Sequence, residues 1–494
     1  MSMNTLRRVR TRFAPSPTGF LHIGGVRTAL YNELVARQSE GDFILRIEDT
    51  DQTRFVEGAT EDICVSLKRI GILPNEGVWI DDNGKIFERG LYGPYTQSKR
   101  TEKHRVYAQQ LVDMGRAYHC FCSSERLDDL RKTQTLARIP TMYDGACRAL
   151  SAEDVQLKLV SGEKYVIRLK LPREGAIQMQ DAILGEIKFD WSLIDDQVII
   201  KSDGFATYHL AAMCDDHDME ITHVIRANEW VASTPKHIFI YESFGWELPI
   251  FAHLPLLLNP DHSKLSKRQG DVAAHEYIDK GYIPEALINF LSLLGFNPTG
   301  DRELYSHEEL VSLFDLTKVN KAGAVFNAEK LLWMNEQYMR ILPIEKYIAL
   351  TREFIITAEK DEAFIQRCLI GVRDRISLPS QVVEFVQPFL RQDIQYSQVS
   401  IAWKKQTHEE ARNTLIVLRE IIAELEDMSV SELETHIKNI ISEKKWVVGE
   451  TLWPLRVALS GEEKSASPFE LLWILGKERS VKRINSAIDF LKDC

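Results

Sequence analysis

The sequence predicts an α/β fold in the first part of the chain and an all-helical fold in the last part, and two observations predict this division. Near the amino terminus, a strand, a glycine-rich turn, a helix and a second strand follow one another, which is typical of a parallel βαβ unit. From about Pro284 onward, apolar residues recur almost entirely at helical spacing, as in Glu285–Leu294 and Asn413–Glu426. The chain of 494 residues is long enough for several domains.

The βαβ unit begins with a strand over Leu6–Ala14, which ends at the turn Pro15–Gly19. A helix follows the glycine pair after Ile23, because apolar residues keep helical spacing as far as Gly41. Phe43–Ile47 is a short apolar strand. The loop between the first strand and the helix therefore lies at the carboxyl end of a parallel strand, where α/β sheets bind ligands.

Residues 110–200 interrupt this pattern with mixed strands and short helices, and they predict an α+β insertion in the sheet domain. Buried-strand patterns return at Thr222–Ile225 and Ile250–Leu258, with a helix predicted over Pro235–Phe244 between them. The predicted fold class is therefore an α/β domain with an α+β insertion, followed by an all-α half.

Composition excludes several classes of protein. Hydrophobic residues make up 44% and charged residues 27%, which is typical of a folded protein and not of a disordered one. No apolar run approaches the ~20 residues that a membrane span needs. Few residues precede the first motif at Arg12, which leaves no room for a secretory signal, and seven cysteines are too few for a disulfide framework. We expect a cytoplasmic protein without membrane attachment. The net charge of −11 argues against indiscriminate nucleic-acid binding but allows a local basic groove.

Two motifs contain residues suited to phosphate chemistry. The first runs from Pro15 to Gly25 and places His22 and two glycines where a strand passes into a helix, so that backbone N–H groups and an imidazole can meet a phosphate. The second is Lys264-Leu-Ser-Lys-Arg268, a basic loop that can stabilise charge on a reacting phosphate. Taken singly, a glycine-rich turn with a surface histidine and a solvated basic loop are the simpler interpretations. Together, at the carboxyl ends of two strands, the motifs predict one nucleotide crevice.

The motifs HIGG, after PSPTGFL, and KLSKR resemble the signature motifs of class I aminoacyl-tRNA synthetases, and the rest of the chain resembles bacterial-type glutamyl-tRNA synthetases. The resemblance extends over nearly the whole chain. The further matching stretches are Arg12–Ser16, Arg46–Asp51, Tyr208–Leu210, Val224–Arg226, Glu229-Trp230, Lys280–Ala286, Pro454–Leu459 and Phe469–Leu472.

The resemblance implies a domain organisation and a reaction. Glutamate and ATP form glutamyl-adenylate and pyrophosphate, and the glutamyl group then moves to the 3′ end of tRNA(Glu). The implied domains are a Rossmann-type catalytic domain in two segments (1–110 and 201–260), an inserted acceptor-binding domain (111–200), a stem-contact region with the KLSKR loop (261–340) and a helical anticodon-binding domain (341–494). The implied partners are tRNA(Glu), ATP and L-glutamate, and the resemblance implies a monomer.

The resemblance also implies roles for individual residues, and Mg²⁺ accompanies the ATP. His22 and Lys267 are the expected catalytic residues, which stabilise the α-phosphate as the carboxylate attacks. The expected ATP-binding residues are Gly19, His22, Gly24, Glu229, Lys264, Ser266, Lys267 and Arg268. The expected glutamate-binding residues are Arg12, Ala14, Ser16, Glu48, Tyr208 and Arg226. Two guanidinium groups suit a planar carboxylate better than lysines would.

Two positions depart from the family pattern. Ala212 stands where relatives often carry an asparagine, so one polar contact of the amino-acid pocket is missing or replaced by water. Cys120, Cys122 and Cys147 resemble the zinc site of some relatives, but the position of the fourth ligand, a histidine, is Ala149. Because a structural zinc site needs four ligands, the sequence predicts no bound zinc unless Tyr143, His119 or a water completes the set.

Three other kinds of protein share part of this sequence pattern. A paralogue that attaches glutamate to a modified tRNA base lacks the helical anticodon-binding part, which the roughly 160 residues after Leu331 supply here. A glutaminyl-tRNA synthetase follows the same front half with β-barrels, whereas this tail is helical. A non-catalytic tRNA-binding derivative loses part of a signature motif, and both motifs are intact. The sequence leaves open whether the enzyme also charges tRNA(Gln).

Overall fold

The computed structural model describes residues 7–265, 273–396 and 400–492. The chain divides into two compact units, Met1–Leu331 and Leu332–Cys494. None of the described helices is long and apolar enough to cross a membrane.

The first unit contains all the described strands. These are β1 (Arg10–Phe13), β2 (Asp42–Leu45), β3 (Glu76–Ile80), β4 (Ile86–Arg89), β5 (Ala117–Cys120), β6 (Val166–Leu169), β7 (Ala176–Asp181), β8 (Gly185–Asp190), β9 (Val198–Ile200), β10 (His223–Ala227), β11 (Ile250–Leu254), β12 (Leu257–Leu258) and β13 (Ala324–Val325).

Helices connect the strands of this unit and continue after them. They are α1 (Ile23–Gln38), α2 (Ala59–Ile70), α3 (Thr101–Asp113), α4 (Ser124–Leu136), α5 (Ala152–Val160), α6 (Tyr208–Asp218), α7 (Thr234–Phe244), α8 (Ala274–Asp279), α9 (Pro284–Ser292), α10 (His307–Leu313) and α11 (Ala328–Ile341), the last of which spans the boundary between the units.

The central sheet has the strand order β4-β3-β2-β1-β10-β11-β7-β8 over the described residues. The six inner strands are parallel, and each edge ends in an antiparallel hairpin. The chain proceeds from β1 toward β2 and β3 on one side and returns to β10 on the other. The boundary between β1 and β10 is thus the switch point of the sheet, where α/β folds bind their ligands beyond the strand ends.

The predicted βαβ unit is confirmed, with slightly shorter elements than the sequence indicated. β1 and β2 pair in parallel over four residues, Arg10 opposite Asp42 to Phe13 opposite Leu45. The predicted strand Ile250–Leu258 is instead two strands, β11 and β12, separated at Pro255, which has no N–H to donate to a ladder. β12 pairs with β13, a strand that the helical pattern of the rear half did not predict.

The inserted segment is split between two sheets. β5, β6 and β9 form a separate antiparallel sheet flanked by α4 and α5. Residues 176–190, which the sequence assigned to the insertion, form the hairpin β7–β8 instead, and β7 pairs in parallel with β11 at the edge of the central sheet. Nothing in their alternating pattern could show which sheet they join, because that depends on a partner about 70 residues away in the chain.

The second unit is helical in its described residues. Its helices after α11 are α12 (Ile344–Arg352), α13 (Glu362–Gly371), α14 (Val382–Leu390), α15 (His408–Glu424), α16 (Val430–Glu443), α17 (Val448–Ser460) and α18 (Pro468–Phe490). α18 bends at Gly476, whose φ of 69° favours glycine. Buried Arg483 on α18 donates to the backbone oxygens of Leu459 and Phe389, which ties the ends of α17 and α14 to the longest helix.

Candidate active site

Two arginines lie side by side at the switch point of the central sheet. Arg12 is on β1 and Arg226 is on β10, and each is almost completely buried, with 3% and 5% of its surface exposed. Since β1 and β10 are neighbouring parallel strands, their carboxyl ends bring both side chains to the same edge of the sheet. The structure thus brings together the two residues that the sequence assigned to a substrate carboxylate.

Arg12 is held from one side only. Its Nε donates to Asp216 Oδ1 at 3.0 Å, and among the described residues the guanidinium has no other hydrogen-bond partner. Its two terminal nitrogens are therefore left for a ligand. Such a group matches a carboxylate, which accepts two parallel N–H bonds from the edge of a guanidinium.

A buried charge cluster lies behind Arg12. Arg46 forms an ion pair with Asp216, with 2.8 Å between one terminal nitrogen and Oδ1, and it donates through the other terminal nitrogen to Glu48 Oε1 at 2.8 Å. Asp216 is fully buried, and its second oxygen, Oδ2, has no partner within the described chain. Burial raises the pKa of Glu48, and the adjacent Arg46 opposes that rise. The cluster of Arg12, Arg46, Glu48 and Asp216 therefore contains two carboxyl groups and two guanidinium groups.

Arg226 is enclosed by neutral acceptors. Its Nε donates to His253 Nε2 at 3.1 Å, one terminal nitrogen lies 3.0 Å from the Tyr208 hydroxyl and 3.1 Å from His237 Nδ1, and the other donates to Thr234 Oγ1 at 3.0 Å. No carboxylate forms an ion pair with Arg226 in residues 7–265, 273–396 and 400–492. The positive charge of Arg226 is thus not paired with any acidic side chain among the described residues.

One face of α6 closes the pocket. Tyr208, Ala212 and Asp216 are spaced four residues apart and so share a face of that helix. The ring of Tyr208 packs against Trp230 with 4.2 Å between centroids, and burial raises the pKa of its hydroxyl. Ala212 is completely buried on this face, where its methyl group offers no polar contact.

His22 is the N-cap of α1. The backbone N–H of Gly25 donates to its Nδ1 at 3.1 Å, so the imidazole proton is on Nε2. A Cβ added at Gly24 would lie 3.1 Å from the His22 ring, so glycine at this position leaves the imidazole room to occupy the cap. The local sequence thus sets both the helix start and the ring orientation.

The glycine-rich loop is anchored by α2 and by the segment that follows the basic loop. Asp62 on α2 accepts from the Leu21 N–H at 2.7 Å through one oxygen, and its other oxygen lies 2.9 Å from His275 Nδ1. His22 and Ala273 form an isolated β-bridge. The residue that begins the second motif, Lys264, forms an exposed ion pair with Glu229 at 2.8 Å.

The remaining predicted site residues lie either beside the first motif or outside the described residues. Ala14 and Gly19 are half-buried beside the first motif, and Ser16 is exposed there. The predicted ATP-binding residues Ser266, Lys267 and Arg268 lie outside the described residues. The structure thus describes the first signature motif in full and only the start of the second.

Sequence reasoning missed the residues that hold the two arginines. Asp216, Thr234, His237 and His253 are all buried at the site, and none was predicted to belong to it. Asp216 is eight residues after Tyr208, and this helical spacing was the one signal that could have placed it beside the pocket.

The cysteine cluster of the insertion has a fourth donor. The sulfurs of Cys120, Cys122 and Cys147 all lie within 4.8 Å of one another. The Tyr143 hydroxyl lies 3.4 Å from the Cys120 sulfur and 3.3 Å from the Cys122 sulfur. Burial raises the pKa of the Cys122 thiol to about 11. The Tyr143 hydroxyl therefore lies within hydrogen-bond distance of two of the three sulfurs.

Comparison with known protein families identifies two matching regions. Residues 8–333 match the catalytic domain of class I tRNA synthetases (E and Q). Residues 341–488 match an anticodon binding domain.

Individual relatives match over nearly their whole length. A glutamate–tRNA ligase of Clostridioides difficile (strain 630) is 42% identical over 96% of this chain and 98% of its own length. A glutamate–tRNA ligase of Finegoldia magna is 41% identical over 98% of this chain and 100% of its own. The crystal structure of a glutamate tRNA ligase from Elizabethkingia meningosepticum, in complex with its amino acid, has a TM-score of 0.85, 35% identity, and coverage of 98% of this chain and 100% of that chain.

Proposed function

The chain belongs to the class I tRNA synthetases as a member of the glutamate–tRNA ligase family, and from this premise we propose how its own residues carry out the reaction. The enzyme activates L-glutamate with ATP to glutamyl-adenylate and transfers the glutamyl group to the 3′ end of tRNA. The pocket between β1 and β10 takes the glutamate, and the N-terminal end of α1 takes the nucleotide phosphates.

The observation that carries the assignment of the glutamate pocket is the state of its two arginines. Arg12 has two terminal nitrogens without a partner among the described residues, and Arg226 has no described carboxylate beside it. A buried guanidinium without an anion is costly. The side-chain carboxylate of glutamate supplies that anion, whereas the neutral amide of glutamine does not. Selectivity for the acidic substrate follows from this difference.

The other pocket residues position the rest of the amino acid. Glu48, which Arg46 holds from behind, pairs with the α-ammonium group of the substrate. That pairing favours the ionised form of Glu48, against the burial that raises its pKa. Tyr208 covers the substrate from α6, and Ala14 and Ser16 border the pocket entrance.

The chemical step needs positioning and charge stabilisation rather than a side-chain nucleophile. The α-carboxylate of glutamate attacks the α-phosphorus of ATP, a new C–O–P bond forms, and pyrophosphate leaves. His22 donates from Nε2 to a phosphoryl oxygen, with Gly19 and Gly24 leaving the backbone accessible to the nucleotide. Lys267 is assigned as the main stabilising cation, and Glu229, Lys264, Ser266 and Arg268 are assigned as further contacts of the ATP. Mg²⁺ would accompany the ATP and would supply further positive charge at its phosphates.

The decisive experiment measures glutamate-dependent ATP–pyrophosphate exchange in the presence of tRNA. Arg226→Ala and Arg12→Ala should each raise the KM for glutamate by about 10²-fold or more and weaken the rejection of glutamine. His22→Ala and Lys267→Ala should instead lower kcat by about 10²–10³-fold, the usual effect of losing one preorganised donor. An Arg226→Ala enzyme that still selected glutamate over glutamine would overturn the pocket assignment.

The tRNA partner is tRNA(Glu), and its contacts are assigned to the helical second unit by analogy with the anticodon binding domain that it matches. Whether tRNA(Gln) is also charged is tested by aminoacylating both purified tRNAs with labelled glutamate. Charging of tRNA(Glu) alone would define a discriminating enzyme, and failure to charge tRNA(Glu) would contradict the proposal.

We also infer that the cysteine cluster binds one zinc ion through Cys120, Cys122, Cys147 and Tyr143. Zinc bonds of about 2.0–2.3 Å in a tetrahedron place its ligand atoms about 3.3–3.8 Å apart. The 3.5 Å between the Cys122 and Cys147 sulfurs and the 3.3 Å from Cys122 to Tyr143 fit that geometry. Elemental analysis of untagged, chelator-free protein should give one zinc per chain, which Cys122→Ser abolishes. Metal-free native protein would refute the site.

A further inference from the structure

The guanidinium of Arg226 uses most of its donors inside the protein. An arginine has five N–H groups, and four acceptors surround this one: His253 Nε2, the Tyr208 hydroxyl, His237 Nδ1 and Thr234 Oγ1, all at 3.0–3.1 Å. This coordination fixes the plane of the guanidinium from three elements, since Tyr208 lies on α6, Thr234 and His237 on α7, and His253 on β11. The arginine is therefore rigidly positioned before any substrate arrives.

The two imidazoles that accept from Arg226 are themselves oriented by further partners. His237 Nε2 lies 3.1 Å from His209 Nδ1, and His253 Nδ1 lies 2.6 Å from Asp181 Oδ2. Because each ring accepts from Arg226 at one nitrogen, its proton is on the other nitrogen, where it is donated onward. Among the described residues, Asp181 is the carboxylate hydrogen-bonded to this network, and the imidazole of His253 lies between it and Arg226.

The acceptors are uncharged at neutral pH. Burial lowers the pKa of His253, and burial together with the adjacent Arg226 lowers that of His237 well below its ordinary value. Arg12 and Arg46, by contrast, both rest on the carboxylate of Asp216. The two arginines of the pocket therefore differ. Arg12 is held by an internal carboxylate, that of Asp216, whereas Arg226 is held by neutral groups alone.

We propose that His237 and His253 are specificity-determining positioning residues, which hold Arg226 in place through neutral acceptors so that its charge stays available to the side-chain carboxylate of the substrate. An internal carboxylate at the same place would hold the arginine equally well, but it would compete with glutamate for the same cation. It would also make a neutral substrate relatively more acceptable. This inference rests on the proposed role of Arg226 in binding the substrate.

The test compares two variants that differ only in charge. His237→Asn keeps a neutral acceptor near the position of Nδ1, and His237→Asp places a carboxylate there. Both lose the bond to His209 equally, so their difference reports the charge beside Arg226. In ATP–pyrophosphate exchange with tRNA present, the KM for glutamate of the Asp variant should exceed that of the Asn variant by about 30-fold or more. The KM for ATP should be the same in both, and the Asp variant should discriminate less against glutamine.

A surface control separates the local effect from the added charge. Asn83→Asp adds the same charge in the exposed turn between β3 and β4, away from the pocket, and should leave the KM for glutamate unchanged. A second pair of variants keeps the inference testable if the His237→Asp protein does not fold. His253→Gln retains an acceptor at the Nε2 position and His253→Leu removes it, so the KM for glutamate should be higher in the Leu variant.

Equal glutamate KM values in the Asn and Asp variants would overturn the inference and leave histidine with a packing role. That outcome is distinct from failure of the proposed function, which Arg226→Ala tests directly. If Arg226→Ala abolishes selectivity while the two His237 variants agree, only the neutral-acceptor inference fails.

Discussion

At the scale of single residues, the pocket depends on how buried charges are paired. Asp216 Oδ1 accepts from Arg12 at 3.0 Å and forms an ion pair with Arg46 at 2.8 Å, and no part of the Asp216 side chain is exposed. One carboxylate thus stabilises two buried cations, and only one of these has a second acidic partner, Glu48. Asp216 therefore determines whether the Arg12 guanidinium is correctly placed without substrate.

Asp216→Asn should destabilise the first unit by about 3–5 kcal/mol, because it leaves two buried guanidinium groups without their shared anion. Urea unfolding followed by fluorescence measures the change. Asp203→Asn, which breaks a more exposed pair with Lys201, is the matched control and should cost less than about 1 kcal/mol. Equal losses in the two variants would show that the Asp216 cluster is not held by its charge.

The buried histidines make the first unit sensitive to acid. Burial, with Lys236 and Arg226 nearby, lowers the pKa of His209 to about 3, and the pKa values of His237 and His253 are lowered as well. In the unfolded chain these groups take up protons near pH 6.5, whereas the folded protein resists protonation. Their contribution to stability is therefore complete above about pH 6.5 and is lost as the pH falls toward 3, by up to about 1.4 kcal/mol per pH unit for each histidine.

Nitrogen-15 spectra of histidine-labelled protein check this directly. The His209 resonances should stay in the neutral form between pH 8 and 5 in the folded protein, those of His237 and His253 should titrate at a lower pH than in the unfolded chain, and all three should titrate in urea. His209→Phe should remove one of the three. Protonation of all histidines near pH 6.5 in the folded protein would contradict the neutral network around Arg226.

At the scale of elements, His22 at the start of α1 has a structural role beside the catalytic role proposed for it. The imidazole caps the helix through Nδ1, which leaves its proton on Nε2. The backbone conformation of Gly24 is one that other residues can also adopt. Glycine is favoured there because a Cβ on this residue would lie only 3.1 Å from the His22 ring.

Gly24→Ala should separate stability from activity. Alanine is the better helix former by about 1 kcal/mol, so the thermal midpoint should not fall. The displaced imidazole should lower kcat of the exchange reaction by about 10-fold or more. If the substitution acts through His22, the double variant with His22→Ala should be no slower than His22→Ala alone. Additive losses would assign Gly24 a separate contact with the nucleotide.

At the scale of the whole molecule, charge composition gives no sign of the tRNA partner. The net charge is −11, and residues 332–494 contain 22 Lys and Arg against 25 Asp and Glu. Binding of an anionic partner must then depend on where the cations lie rather than on their number. Local contacts to phosphates release counterions however acidic the rest of the surface is.

Binding of tRNA(Glu) should therefore weaken steeply with salt, by about 10³-fold between about 50 and 200 mM if six or more phosphates are contacted. Filter binding or fluorescence anisotropy of labelled tRNA measures the slope. A chain that ends after α11 should retain glutamate-pocket residues but lose most of this affinity. Equal tRNA affinity of the shortened and full-length proteins would show that the helical unit does not bind the tRNA.

Local patterns in the sequence were sufficient for the class of fold. The βαβ unit, the glycine-rich loop with His22 and the helical rear half depend on periodicities and turn residues within short segments, which each segment contains by itself. Arg12 and Arg226 were predicted from the family resemblance, and the guanidinium group of each suits a planar carboxylate.

Only the tertiary structure decided what holds those residues. Arg12 meets Asp216 across 204 positions of sequence, and His253 meets Asp181 across 72. The same applies to β7–β8, which joins the central sheet through β11. Such partners are chosen by packing and by the need to satisfy buried polar groups, and neither requirement has a local signature. The sequence by itself thus predicted which residues could do the chemistry, and folding determined the partners and the charge that surround each of them.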